Sequence, residues 1–128
     1  MLLAEANGAD LGYPWIDPAT GELVLSVVTQ RGRELVEEAN ITVPHRSRDV
    51  AHGAAELQRI QDEVIALDER GVMDAQLIAT TLPDLRDNRA LIVISAMSVP
   101  LLEYLAETYP VDAIAVQVDP DRASLSGP

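Results

Sequence analysis

The sequence has no cysteine, no lysine and no phenylalanine, so its 9 basic residues are all arginines. Without cysteine, the chain cannot hold a disulfide, a thiolate zinc site or a thiol nucleophile. Without lysine, it has no P-loop, no Schiff base and no Ser–Lys dyad. Aromatic residues make up 3% of the chain and hydrophobic residues 48%, so its core has to be built from Leu, Val, Ile and Ala.

Positive charge is also scarce, because 9 basic residues stand against 21 acidic ones and the formal net charge is −12. A nucleic acid or an anionic membrane surface is therefore not expected as a partner, since both require clustered positive charge. The apolar runs are far shorter than the roughly 20 residues of a membrane span, so no membrane insertion is expected. Residues 1–4 are too short and lack the basic residues of a secretory signal, so we expect no signal peptide in this chain.

The first half of the chain is predicted to form a tail over residues 1–12 and then a ββαβ block over residues 13–48. A turn of sequence Asp-Pro-Ala-Thr-Gly favours a hairpin, and the β-branched run Glu22–Thr29 behind it is typical of a strand. An amphipathic helix is predicted over Gln30–Asn40, with a threonine at its N-cap. The segment Ile41–Arg48 is predicted to be extended, and its proline favours a sheet edge.

Residues 49–75 are predicted to be a connecting region that contains the clearest helix, over residues 53–70. Four aliphatic residues recur there at three- and four-residue spacing and form one stripe: Leu57, Ile60, Val64 and Leu67. Gly71 is the expected residue just after the helix C-terminus.

The second half repeats the first pattern over residues 76–119, followed by a polar tail over residues 120–128. Strands are predicted at Gln76–Thr81, Ala90–Ala96 and Ala113–Val118. A helix is predicted between the last two strands, with Ser98 as its N-cap and a Tyr-Pro pair as its end.

The two blocks align without a gap, since Glu22–Val28 matches Arg89–Ser95 and Leu25 falls on Ile92. This repeat predicts an α+β fold with two repeated ββαβ lobes, each a three-stranded sheet plus one helix, joined by a central amphipathic helix. The sequence leaves open whether the two copies merge into a single longer sheet.

The only histidines, His45 and His52, are candidate general bases, and Asp49 between them could supply a carboxylate. Exposed strand and loop histidines are far commoner. Ser47 completes a superficial Ser/His/Asp set, but no Gly-x-Ser-x-Gly elbow accompanies it. We therefore expect no catalytic residue and a protein that is not an enzyme.

Two acidic turns, Asp84–Asn88 and Asp119–Asp121, lack the ligand register of a calcium loop, so no metal or cofactor is expected. Trp15 alternates with a tyrosine on the first strand, and we interpret it as a core or sheet-face residue. Arg46 and Arg48 point to the same side of their strand. They could pair with the acidic helix or form an anion site, although the net charge opposes the latter.

Three segments together resemble a known family: Tyr13–Val28 (Y-P-W-I-D-P-A-T-G-E-L-V-L-S-V-V), Gly32–Val36 (G-R-E-L-V) and Ala55–Leu57 (A-E-L). They are similar to the pro-regions of α-lytic-protease-like and streptogrisin-like secreted bacterial serine proteases, where a W-x-D-x-x-T-G-x-L-V-V-x-V hairpin leads into a helix and a strand. The similarity is best over residues 13–67, and Leu25 departs from the second valine of the pattern. The arginine-rich, lysine-free composition is similar to that of proteins from high-GC actinobacteria.

The resemblance implies a non-enzymatic inhibitor and folding assistant that adds its sheet edge to a protein partner, a chymotrypsin-like serine protease. It also implies an extracellular location and a C-terminal tail in the protease cleft. The expected partner-binding residues follow from the closing strand and the tail: Ile114, Val116, Val118 and Leu125. The alternative is a structural protein that buries the same strand edges in a homo-oligomer without a protease target.

Overall fold

The computed structural model of the protein describes residues 6–122. The strands are β1 (Trp15–Ile16), β2 (Leu23–Val27), β3 (His45–Asp49), β4 (Ile78–Asp84), β5 (Arg89–Ile94) and β6 (Ile114–Val118). The helices are α1 (Gln30–Glu38), α2 (Ala54–Ile65) and α3 (Val99–Thr108), with a short 3-10 helix at Ala75–Leu77.

The predicted α+β fold with two ββαβ lobes is confirmed. One sheet has the order β1-β2-β3 and the other the order β4-β5-β6, so the copies form two sheets and not one longer sheet. In each lobe the first two strands are antiparallel, while the third strand follows a helix and lies parallel to the middle strand. A helix is the usual connection between parallel neighbours because the chain has to return to the same end of the sheet.

The chain divides into two compact units. Within residues 6–122, the first contains residues 6–57 together with the turn Leu85–Asn88, and the second contains residues 58–84 and 89–122. The predicted connecting region is thus shared, because α2 contributes its first turn to one unit and the rest to the other.

The first unit has an aliphatic core between β2 and α1, formed by Leu11, Leu25, Val27 and Val36. Thr29 caps α1 as predicted, because its side-chain oxygen accepts a hydrogen bond from the Gly32 N–H at 3.0 Å. The strand after α1 begins at His45 and not at Ile41, and it lies at the sheet edge that Pro44 indicated.

The segment predicted to be an N-terminal tail is packed against β2 over the residues before Gly12. Leu11 is only 3% exposed and pairs antiparallel with Val27. The Gly12 N–H donates to the Ser26 oxygen at 2.9 Å, which extends this pairing. This packing has no signature in the sequence, because the contacts are made mostly by backbone groups that every residue carries.

The same segment also caps α2. The carbonyl of Leu11 accepts from the Ala54 N–H at 2.8 Å, and the carbonyl of Gly8 accepts from the Ala55 N–H at 3.0 Å. Helix N-termini leave N–H groups without intrahelical partners, so these carbonyls do the work that a side-chain cap usually does.

The predicted apolar stripe is buried, and Leu57, Ile60 and Val64 on α2 and Leu67 just after it are each 0% exposed. The regular helix ends at Ile65, earlier than expected, and a series of turns continues to Gly71, whose φ is +77°. A left-handed residue at this point is why glycine occupies it.

The second unit buries the middle of its sheet and one face of α3. Ser98 caps α3, accepting from the Leu101 N–H at 3.3 Å, with a proline in the first turn as predicted. Leu101 and Leu105 are 0% and 1% exposed. Tyr109 follows the helix, is buried, and donates its hydroxyl to Glu63 Oε1 at 3.1 Å.

Candidate functional site

In residues 6–122, β6 is the last strand of its sheet, so one side of its backbone faces no other strand. The Ala90 N–H donates to the Ala113 oxygen and the Asp119 N–H donates to the Ile94 oxygen, both at 2.8 Å. In a parallel pair, residues alternate between facing the neighbouring strand and facing away from it. The N–H and C=O groups that point away from β5 therefore belong to Ile114, Val116 and Val118.

The side chains of these three residues continue an apolar row across the sheet. They are in register with Ala90, Ile92 and Ile94, each 0% exposed. Ile114 and Val116 are half-buried and Val118 is 46% exposed. Three of the four predicted partner-binding residues thus share one open strand edge, and the fourth, Leu125, lies outside the described residues.

The equivalent edge in the first lobe is β3, and its outward-facing residues are polar where those of β6 are apolar. Backbone pairing with β2 leaves His45, Ser47 and Asp49 as the outward-facing residues. Ser47 is in register with Leu25 and Val116 with Ile92, so these two edge positions correspond through the repeat. The β3 positions are polar and exposed, and Asp49 forms an ion pair with Arg33 of α1.

The remaining strand edges are short or interrupted. β1 has only 2 residues. β4 has 7 residues and contains Pro83, which has no N–H to offer. Charged residues, proline and short length are the usual protections of an edge strand, and β6 carries none of them within its span.

A cluster lies on the face of the first sheet that is opposite to α1, and it consists of Arg48, Trp15 and Arg86. The guanidinium carbons of Arg48 and Arg86 lie 5.6 and 5.7 Å from the centroid of the Trp15 ring. Arg48 also donates to the Leu85 oxygen at 2.7 Å, to the Arg86 oxygen, and to Ser26 Oγ at 3.2 Å. Trp15 is therefore a sheet-face residue packed beside two cations, as the sequence indicated in outline.

Arg46 lies on the same face and is neutralised by two carboxylates. It donates to Asp17 Oδ2 at 2.8 Å and to Glu22 Oε1 at 3.1 Å. The hydrogen bond from Arg46 lowers the pKa of Asp17, and the Ala19 N–H lowers it further. Arg46 and Arg48 thus bind protein groups on this face, which disfavours the anion site that the sequence left open.

The two histidines lie in different surroundings. The Nδ1 atom of His45 is 2.8 Å from the Val43 oxygen on an exposed strand, while Asp49 is held by Arg33. His52 is buried, and its Nδ1 atom lies 3.0 Å from Glu56 Oε2. The residues of the superficial Ser/His/Asp set alternate along one strand, but the contacts of His45 and Asp49 are with other groups.

Asn88 is a buried residue whose role the sequence did not indicate. Its Oδ1 atom accepts from the His52 N–H at 2.9 Å, and its Nδ2 atom donates to the His52 oxygen at 2.8 Å. The residue adopts a φ of +55°, which asparagine tolerates better than most residues. It therefore fixes the turn Leu85–Asn88 to the backbone that leads into α2.

Within residues 6–122, no group of three or more His, Asp or Glu side chains is arranged to hold a metal ion. None of the helices in that range has the length and apolarity needed to cross a membrane. No family model and no curated protein matches the sequence. The resemblance to protease pro-regions accordingly depends on the motif segments alone.

Proposed function

We propose that this chain is a non-enzymatic interaction domain that pairs the outer edge of β6 with an extended strand of a protein partner. The observation that carries the proposal is the difference between two corresponding edges. β3 is polar and carries an ion pair, whereas β6 is apolar, with Val118 46% exposed.

An open apolar edge is a liability unless something covers it, because its backbone groups and side chains can pair with any extended chain. A strand added to β6 would form hydrogen bonds with its outward-facing backbone groups. It would also cover the exposed side of the apolar row that runs from Ile92 and Ile94 on β5 to β6. Backbone hydrogen bonds would supply affinity, and alternate side chains would supply selectivity.

The resemblance to protease pro-regions supports one class of partner, a chymotrypsin-like bacterial serine protease. In this proposal the chain contributes no catalytic group and acts as an inhibitor or folding assistant. Its partner supplies a strand or hairpin edge, and the C-terminal tail enters the protease cleft.

The proposal is tested by comparing two proline substitutions at corresponding edge positions. Val116→Pro removes an outward N–H from β6, and Ser47→Pro removes the corresponding N–H from β3. Proline is tolerated at edge positions whose N–H faces away from the sheet, so both variants should fold, and circular dichroism checks this. Protease inhibition is then measured for both variants and for the unaltered chain.

We expect the unaltered chain and Ser47→Pro to inhibit at micromolar concentration or below, and Val116→Pro to inhibit at least about tenfold less, which corresponds to about 1.4 kcal/mol. A chain ending at Asp119 should also lose inhibition if the tail takes part. Equal inhibition by both proline variants would exclude β6 as the binding edge. If no form inhibits and the unaltered chain dimerises while Val116→Pro stays monomeric, the homo-oligomer replaces the protease partner.

A further inference from the structure

The chain turns directly after β6. The Arg122 N–H donates to the Asp119 oxygen at 3.2 Å, and the Asp121 N–H donates to Asp119 Oδ1 at 3.1 Å. Aspartate at the first position and proline at the second, Pro120, favour a type I turn, and Asp121 at the third has no positive φ of the kind that type II requires. A four-residue connection built around a type I turn commonly joins two antiparallel strands.

The position of this turn on β6 determines where a returning strand can pair. The Asp119 N–H faces β5, because it donates to the Ile94 oxygen at 2.8 Å. Val118 is therefore the last residue of β6 whose backbone groups face outward. A hairpin with Asp119–Arg122 as its connection places residue 123 opposite Val118, on the open edge.

We propose that residues 123–127 of this chain pair antiparallel with the outer edge of β6, and that a protein partner has to displace them. These residues lie outside the described residues, and their sequence is A-S-L-S-G. The pairing itself needs no partner, whereas its regulatory consequence rests on the proposed function.

The sequence of this segment fits the register that the turn sets. Five residues follow the turn before the next proline, and β6 has 5 residues, so each can be opposite one residue of β6. In this register Leu125 is opposite Val116, and both belong to the face that carries the row of Ile92 and Ile94.

The other face of the segment is polar, as its position requires. Ser124 and Ser126 alternate with Leu125 and share their face with Gln117, which is exposed on β6. A register shifted by one residue would place both serines against the apolar row, because side chains alternate between the faces of a sheet. The alternation therefore favours one register, the one that the turn sets.

The short connection makes this pairing intramolecular. A segment tethered by four residues is present at the edge at a high effective concentration, so it competes with any strand from another molecule. The apparent affinity for a partner is then reduced by the fraction of molecules whose edge is covered. Once displaced, the segment is available to the protease cleft of the proposed function.

Hydrogen exchange of single backbone amides tests the pairing without a partner. The full-length chain is compared with a chain ending at Arg122, both labelled with nitrogen-15. We expect the outward amides of Val116 and Val118 to exchange at least about tenfold faster in the shortened chain, because they lose their acceptors. The Gln117 amide faces β5 and should change by less than about twofold, which makes it an internal control.

A matched pair of variants tests the register. Leu125→Asn and Ser124→Asn introduce the same uncharged residue at neighbouring positions. Only Leu125→Asn should accelerate exchange at Val116, by about threefold or more, because it removes an apolar cross-strand pair. Equal exchange at Val116 in these two variants would overturn the register.

Introduced cysteines give a second readout, since the chain has no cysteine of its own that could mispair. Val116→Cys with Leu125→Cys should form a disulfide within one chain under mild oxidation. Gln117→Cys with Leu125→Cys should not, because its two side chains point to opposite faces. Mass spectrometry under non-reducing conditions measures both yields.

The outcomes separate this inference from the proposed function. Unchanged exchange at Val116 and Val118 in the shortened chain, or equal disulfide yields in the two cysteine pairs, would overturn the pairing of residues 123–127. Disulfides between two chains would also overturn it and would make a second copy the occupant.

The disulfide also tests the regulatory consequence. With Cys at positions 116 and 125 joined, protease inhibition should fall at least about tenfold and return on reduction. Equal inhibition by the joined and reduced forms would overturn β6 as the edge that binds the protease, while the pairing of residues 123–127 would stand.

Discussion

At the scale of single residues, Arg48 joins three parts of the first unit. Its guanidinium stacks near Trp15, reaches Ser26 on β2, and donates to two carbonyls of the turn Leu85–Asn88. These contacts need several N–H donors in one planar guanidinium group, whereas the ammonium group of lysine is a compact point charge.

We expect Arg48→Lys to lower the free energy of unfolding by about 1–3 kcal/mol, because hydrogen bonds from a charged donor are lost. Arg46→Lys is the control on the same strand, where an exposed ion pair is worth less than about 1 kcal/mol. Urea unfolding followed by the fluorescence of Trp15, the only tryptophan, measures both. If the free energy of unfolding fell equally in the two variants, the planar guanidinium of Arg48 would not be required.

Tyr109 is the residue whose ionisation should limit stability in alkali. Burial raises the pKa of Tyr109 from 10.0 to about 12, and its hydrogen bond to Glu63 adds to the shift. The folded protein therefore holds this proton more tightly than the unfolded chain. The resulting stability is present below pH 10 and is lost as the pH rises towards about 12.

Between these pH values we expect the free energy of unfolding to fall less steeply in Tyr109→Phe than in the unaltered chain. Urea unfolding at a series of alkaline pH values gives the slopes. Tyr104→Phe removes a half-buried tyrosine that contributes less to the raised pKa of Tyr109 than burial or Glu63, so it should change the slope less. The same slope in all three proteins would contradict the assignment of the shift to Tyr109.

At the scale of elements, the helix N-termini of the first unit are approached closely by the N-terminal segment. A Cβ atom on Gly32 would collide with the Asp10 oxygen, and one on Gly53 would collide with the Gly8 oxygen. Glycine is required at these two positions because there is no space for a Cβ atom. Backbone conformation is not the reason, since neither residue has a positive φ.

Gly32→Ala should therefore destabilise the protein, by about 1–3 kcal/mol, although alanine in a helix interior normally stabilises by about 1 kcal/mol. The test is whether the substitution lowers the free energy of unfolding instead of raising it, and urea unfolding measures this change. Arg31→Ala, at the neighbouring exposed position of α1, should change the free energy of unfolding by less than about 0.5 kcal/mol. Stabilisation by Gly32→Ala would show that the N-terminal segment does not lie against α1.

The α2 helix offers a second comparison within one element. Leu57 is 0% exposed and Ile65 is 39% exposed, although both are large aliphatic residues on the same helix. Leu57→Ala should cost about 2–5 kcal/mol because it leaves a cavity. Ile65→Ala should cost clearly less, and equal losses in thermal or urea unfolding would contradict the burial of the stripe.

Much of this element structure could be predicted from the sequence because it follows from repeating side-chain patterns. The stripe of Leu57 to Leu67 predicted α2, and the matching runs at Leu25 and Ile92 predicted the two middle strands. The packing of residues 7–12 could not be predicted, because backbone groups make most of those contacts. The α2 helix ended early at Ile65 even though the apolar spacing continued to Leu67, so periodicity did not fix its end.

The candidate site was only partly predictable for a different reason. Ile114, Val116 and Val118 stood out as an apolar strand, but whether their edge is open depends on strand order. The contact between Asn88 and His52 joins residues 36 positions apart through one amide, and no local pattern marks it.

At the scale of the whole molecule, the net charge of −12 places many carboxylates close together on folding. We expect the free energy of unfolding to rise by about 1 kcal/mol between low and physiological ionic strength, because salt screens this repulsion. Sodium and potassium chloride should act equally in urea unfolding. An effect confined to one of the two cations would indicate specific ion binding instead of screening.

The difference between β3 and β6 also fixes how large an assembly the proposed pairing can form. A filament needs two complementary surfaces on each copy, so that every added chain presents the next attachment point. Here β3 is charged, β1 is short and β4 contains a proline, which leaves β6 as the single edge suited to pairing within residues 6–122. A partner strand on β6 therefore ends the growth of the sheet, and the expected complex has a stoichiometry of one to one.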